Sequence, residues 1–215
     1  MMVDGGRMRF MVDGPEQAGK VLLFAHGAGA PMDSDFMSFI AQEISIGGVK
    51  VVRFEFPYMQ ERRDSGKKRP PDRQDKLLNC FAEALENCSP DAEVFLAGKS
   101  MGGRMASMLA ADLPEGEGRV RGWLAFGYPF HPPGKLDKLR TEHLAGIQVP
   151  GLILQGARDP FGGRAENMAQ YMGERCVIEW LPDGDHDLAP RKASGFSKEE
   201  NWRTAAQAAL TFMLR

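Results

Sequence analysis

The pentapeptide Gly98-Lys99-Ser100-Met101-Gly102 constrains the fold of this chain more than any other stretch. Before it, Glu93-Val94-Phe95-Leu96 is an apolar run of strand type; after it, Met101, Met105, Met108 and Leu109 recur at helical spacing. A serine on so tight a strand-to-helix turn, with glycine two residues to either side, carries the G-x-S-x-G pattern of a nucleophile elbow. The turn forces the serine into strained backbone geometry, and a Cβ at Gly98 or Gly102 is expected to collide across it. In return the serine Oγ stands at the carboxyl edge of a sheet. The helix that follows turns free N–H groups, that of Met101 among them, toward any anion forming there. Gly98-Lys99-Ser100 also resembles the end of a phosphate-binding P-loop, but that motif needs a glycine five residues earlier, where Glu93 stands.

Around this turn, strand-like and helix-like segments alternate. Residues 9–13 read as an edge strand with Gly14-Pro15 as its turn, and Lys20–Ala25 as a strand buried on both faces. His26-Gly27-Ala28-Gly29-Ala30-Pro31 follows as a glycine-rich loop. Asp35–Ile46 has helical periodicity and stops at Gly47-Gly48; residues 49–56 form the next strand, ended by Pro57. Residues 58–74 read as a long polar loop and 75–87 as a helix. Beyond the elbow come a strand over Val120–Phe126 and a connection over 127–149 with one short helix near 136–144. A strand over 151–155, a helix over 163–172, a strand over Cys176–Leu181 and a closing helix over 198–214 complete the chain. This alternation predicts an α/β fold, a mostly parallel doubly wound sheet with helices on both faces, in one domain over residues 1–215. In such sheets function gathers in the loops at the carboxyl ends of the strands.

Composition excludes several classes. With 215 residues and a formal net charge of −2, the chain can bury one sizeable core and lacks the basic excess of a nucleic-acid binder. Residues 1–10 show no apolar leader and no run approaches membrane-spanning length, so neither nucleic acid nor membrane is expected as a partner. Three cysteines, Cys80, Cys88 and Cys176, form an odd count without metal-ligand spacing, which suits reduced thiols in a cytoplasm. Asp183, Asp185 and Asp187 have the spacing of a calcium loop, but Leu188 stands where its glycine belongs and Ser194 where its glutamate belongs. No metal or cofactor is expected.

A serine nucleophile needs a base within hydrogen-bond reach and an acid to hold the base's tautomer. Of four histidines, only His186 follows a late strand; His26 precedes the serine, where a structural role is expected, and His131 and His143 lie in the connection. His186 is therefore the expected base. The acid is expected after the strand over 151–155, where Gly156-Ala157-Arg158-Asp159-Pro160 offers Asp159, although Asp-Pro also suits the cap of a following helix. The oxyanion donors are expected to be the backbone N–H groups of Met101 and Ala28. Tyr58 and Tyr128 each follow a strand and are candidates for walls of the substrate pocket, with plain packing as the alternative. The basic residues between 62 and 73 read as a solvated loop, or as a rim attracting an anionic substrate or an acidic partner.

With these motifs on the page, the chain resembles the α/β-hydrolases over essentially its whole length. More narrowly, it is similar to a lid-less hydrolase-like family of bacterial proteins related to a domain in a subunit of a eukaryotic histone-acetyltransferase complex. The narrower likeness rests on His26-Gly27-Ala28-Gly29, Phe56-Pro57-Tyr58, the elbow through Gly103-Arg104, Gly127-Tyr128-Pro129, Gln155 through Gly162, and Gly184-Asp185-His186. It implies a triad of Ser100, Asp159 and His186 and no particular substrate. It departs from the dienelactone hydrolases, which carry cysteine at the position of Ser100. The combined expectation is a cytoplasmic serine hydrolase acting on a small acyl ester or thioester at an open site without a large lid. The alternatives are a non-catalytic interaction module of the same shape and, more remotely, a cofactor-free perhydrolase or haloperoxidase. The oligomeric state is left open.

Overall fold

The computed structural model describes residues 8–114 and 117–215, so the expected domain span of 1–215 and the stretch 1–10, expected to lack a leader, both begin outside the described residues. One seven-stranded sheet organises them. Its strands are β1 (Phe10–Asp13), β2 (Lys20–Ala25), β3 (Lys50–Phe54), β4 (Glu93–Lys99), β5 (Val120–Phe126), β6 (Gly151–Gly156) and β7 (Cys176–Leu181), in the spatial order β1-β3-β2-β4-β5-β6-β7. β1 runs antiparallel to β3; every other neighbouring pair is parallel. The reversal of strand order beside β2 and β4 opens the crevice at which sheets of this kind place their chemistry.

The apolar patterns explain the layers. β2 is buried at every residue from Val21 to Ala25, as a strand covered on both faces must be. Helices α1 (Asp35–Ile46) and α5 (Lys198–Met213) cover one face, where Phe36, Ile40, Trp202 and Ala206 meet Leu22, Phe24 and Leu124. Helices α3 (Gln74–Glu86) and α4 (Met101–Ala111) cover the other, where Leu77, Phe81 and Met105 meet Leu23, Leu96 and Ala125. α5 begins with a full capping box: Ser197 Oγ accepts the Glu200 N–H and the Glu200 carboxylate accepts the Ser197 N–H. Among the described residues no helix is long and apolar enough to cross a membrane.

Three expectations are corrected. Residues 57–65, expected to begin a polar loop, form helix α2 (Pro57–Ser65), started by a proline in the first turn and stopped by Gly66 at φ 67°. The helix expected over 163–172 is two short 3₁₀ turns, Arg164–Glu166 and Met168–Tyr171. The connection 127–149 holds one 3₁₀ turn, Leu144–Gly146, in place of a helix near 136–144. That connection lies down on the core through Tyr128, Phe130, Leu144 and Ile147, so no large lid covers the carboxyl ends of the strands.

Candidate active site

Ser100 stands between β4 and α4 at φ 52°, ψ −113°, a left-handed conformation that a side chain rarely adopts. The glycines around it make this possible. A Cβ on Gly98 would overlap the carbonyl carbon of Gly102, and one on Gly102 would lie 2.5 Å from the Ala25 carbonyl oxygen and 2.6 Å from that of His26. The elbow glycines thus serve two contacts: Gly98 lets the turn close, and Gly102 lets α4 press against the end of β2.

The three side chains expected to cooperate are brought together from loops 27 to 86 residues apart. His186 Nε2 lies 2.8 Å from Ser100 Oγ, and His186 Nδ1 lies 2.8 Å from Asp159 Oδ2. With the Asp159 carboxylate ionised, Nδ1–H donates to it and Nε2 is left to accept the serine proton. Asp159 is 1% exposed and its oxygens are fully engaged: Oδ1 accepts the Phe161 N–H at 2.8 Å and Oδ2 also accepts from Gln155 Nε2 at 2.9 Å. Asp159 caps no helix, since the next 3₁₀ turn starts at Arg164 with Gly163 before it; one carboxylate oxygen fixes its own turn and the other faces the imidazole. The Phe161 ring lies against the imidazole, centroid to centroid 4.2 Å.

The loop carrying Ala28 packs on the elbow, since a Cβ on Gly27 would stand 3.7 Å from Ser100 Cβ. Among the described residues, the N–H groups of Ala28 and Met101 have no acceptor, so both are available as donors. His26 ties this loop in place. Its Nε2 accepts the Phe56 N–H at 3.1 Å, which leaves Nδ1–H to donate to the Gly27 carbonyl at 2.7 Å. Burial pushes the His26 pKa below the usual histidine range, consistent with a neutral ring. The other two histidines are engaged elsewhere: His131 with Glu166 at 2.6 Å and His143 with Ser107 at 2.8 Å.

Tyr58 and Tyr128 are corrected from pocket walls to packing residues. Tyr58 is 1% and Tyr128 0% exposed. The Tyr58 hydroxyl donates to the Ala28 carbonyl at 3.0 Å, supporting the loop from beneath, and the Tyr128 hydroxyl donates to the Arg140 carbonyl at 2.9 Å. Part of the basic stretch is paired within the fold: Arg63 bridges Asp33 and Glu55, and Arg69 pairs with Glu61. Burial raises the pKa of all three thiols, Cys80 and Cys176 to about 12, which suits packing rather than reactivity.

Two residues escaped the sequence reading. Lys99, beside the serine, is almost fully buried; its Nζ donates to the His186 carbonyl at 2.6 Å and pairs with Asp187 at 3.2 Å. Burial pulls its pKa down and the Asp187 carboxylate opposes the shift. Gln155, at the end of β6, holds the Asp159 carboxylate from below and accepts the Tyr128 N–H at 2.7 Å. Only adjacency to the recognised motifs could have pointed to either. A groove of about 920 Å³ lies at the opposite strand ends, lined by Phe10, Val21, Val52, Ala84 and Cys88, away from the Ser100, Asp159 and His186 side chains.

Comparison with known proteins agrees with this fold. The family model described as an alpha/beta hydrolase domain matches residues 18–214. Among solved structures, a dienelactone hydrolase from Anabaena variabilis superposes with a TM-score of 0.71 at 21% identity, covering 99% of this chain and 94% of that one. Est1E from Butyrivibrio proteoclasticus, solved with ferulic acid bound, gives 0.70 at 13% identity over 96% and 94% of the two chains. A lid-less α/β serine hydrolase from Xanthomonas campestris gives 0.64 at 20% identity, covering 95% and 88%. At these identities the structures share the fold.

Proposed function

The chain belongs to the alpha/beta hydrolase domain family, and from that premise we propose that it is a serine hydrolase cleaving a small acyl ester or thioester. One observation carries this reading: two 2.8 Å hydrogen bonds link Ser100 Oγ, the His186 ring and the Asp159 carboxylate in an unbroken chain. His186 takes the proton of Ser100 as the hydroxyl attacks the carbonyl carbon. Asp159 holds the ring in the tautomer that can accept that proton and stabilises the imidazolium that results. The Met101 and Ala28 N–H groups receive the developing oxyanion, a contribution worth about 10²–10³ in turnover per donor. His186 then protonates the leaving alkoxide or thiolate, and water repeats the sequence on the acyl-enzyme.

The lack of a large lid favours a small or extended substrate over one that must be enclosed. Cysteine usage favours a cytoplasmic setting, and the motif set favours the branch related to the hydrolase-like domain of a histone-acetyltransferase complex subunit. The test is a series of p-nitrophenyl esters and acyl-CoA thioesters assayed with the wild type and Ser100→Ala. Turnover that disappears in the variant supports the mechanism, and equal rates for the two proteins remove it.

A further inference from the structure

Resting on the hydrolase reading, the geometry points to an oxyanion-binding subsite formed by Arg104 and Arg140, for a carboxylate or phosphate group borne by the ester or thioester that Ser100 attacks. Arg104 sits one turn into α4, where its N–H donates to the Ser100 carbonyl at 3.0 Å. Its guanidinium is conspicuously under-engaged. Nη2 donates to the Gln74 side chain at 3.0 Å, while Nε is buried with no acceptor. Arg140 lies in the connection after β5, half-buried, anchored only through its backbone: its N–H donates to the Phe130 carbonyl and its carbonyl accepts the Tyr128 hydroxyl. Ser107 ties the two segments together, donating to the Arg104 carbonyl at 2.8 Å and meeting His143 Nε2 at 2.8 Å.

Among the described residues neither guanidinium has a carboxylate partner. In this they differ from Arg53, which pairs with Asp13, and Arg119, which pairs with Glu86, and resemble the half-buried Arg62. The two unpaired cations also feel each other. Burial and the charge of Arg104 both pull the Arg140 pKa down, and the same charge acts on His143. Glu142 and Asp112 exert the opposite pull at His143 without pairing either arginine. Two like charges partly out of water, one of them with a buried Nε–H that has no acceptor, are costly to keep without a counter-charge. A planar guanidinium fork one turn from the nucleophile is built to receive that counter-charge from a bidentate oxyanion. Arg62 donates to the Gly29 carbonyl, next to Ala28, and among the described residues it too has no carboxylate partner.

Two measurements test this separately from the catalytic reading. First, glutarate and inorganic phosphate are titrated calorimetrically into full-length Ser100→Ala. At least one is expected to bind with one-to-one stoichiometry, and at least tenfold more weakly once Arg104→Met or Arg140→Met is added; which anion binds distinguishes carboxylate from phosphate. Binding of neither, or binding unaffected by both substitutions in folded protein, overturns the subsite. Second, kcat/KM is compared for p-nitrophenyl hydrogen glutarate and the neutral p-nitrophenyl valerate. If glutarate is the anion bound, the wild type is expected to favour the charged ester about tenfold, and this ratio to fall toward one in Arg104→Met. If the wild type hydrolyses both esters with no preference and glutarate does not bind, the carboxylate form of the subsite is overturned while the hydrolase stands. If neither ester nor any thioester is cleaved, the hydrolase falls and the calorimetry alone decides the subsite.

Discussion

Replacing Lys99 with methionine separates the position of the histidine loop from the stability of the fold. Methionine keeps most of the aliphatic length and removes the ammonium that donates to the His186 carbonyl at 2.6 Å and pairs with Asp187 at 3.2 Å. A hydrogen bond from a charged donor contributes about 1.5–3 kcal/mol. Against this, Lys99 is 7% exposed, and relieving the desolvation of its ammonium returns an energy of the same order, a few kcal/mol. The two terms offset, so unfolding free energy is expected to move by at most about 2 kcal/mol, or about 4–8 °C in Tm for a chain of this size. No such offset protects geometry, because nothing else among the described residues holds the His186 carbonyl. If the full 1.5–3 kcal/mol keeps Nε2 in reach of Ser100, its loss lowers kcat roughly 10- to 100-fold at 1.36 kcal/mol per decade. The assay is kcat together with the rate of Ser100 phosphonylation by a fluorophosphonate, run beside a thermal melt. Asp187→Asn is the control: its side chain is 72% exposed, so the change should stay within about threefold. A folded Lys99→Met protein with wild-type turnover and labelling refutes the clamp.

Other outcomes follow from the same geometry. Asp159→Asn puts an amide beside His186 Nδ1, permits the wrong tautomer and should lower kcat by about 10⁴ with the fold intact, read by ester turnover and circular dichroism. Gly102→Ala places a methyl 2.5 Å from the Ala25 carbonyl oxygen; a urea melt should show a loss of at least about 1–3 kcal/mol. Stability should also decline with acid. Burial holds the pKa of His26 and His143 below the ordinary histidine value of about 6.5, so between the folded and unfolded values the unfolded chain binds more protons. Their contribution is complete above about pH 6.5 and is lost progressively as pH falls from there through the lower folded values, which urea melts at pH 8 and pH 5.5 would register; equal midpoints would contradict the assignment.

The parts of the site legible in the sequence are those fixed by local sterics or by chain order. The elbow is local: two glycines, a serine and the switch from strand to helix spacing sufficed. His186 followed from its place after the last strand. Burial depth, by contrast, is set by tertiary packing, which is why Tyr58 and Tyr128 read as pocket walls although both rings lie in the core. Polar composition hid α2, whose signals were the proline at its start and Gly66 at its end. Lys99 was invisible as a clamp because its acceptor lies 87 residues away and is a backbone carbonyl, a group every residue has. Arg104 and Arg140 stand out only once the carboxylates that pair Arg53 and Arg119 can be seen.

The most direct test of the account is intact-protein and peptide mass spectrometry after treatment with a fluorophosphonate. A single adduct on Ser100 is expected in the wild type, slowed by several orders of magnitude in His186→Ala and absent in Ser100→Ala. An unmodified wild-type protein, or labelling of Ser100 at the same rate without His186, would contradict the claim that this serine is made reactive by the histidine beside it.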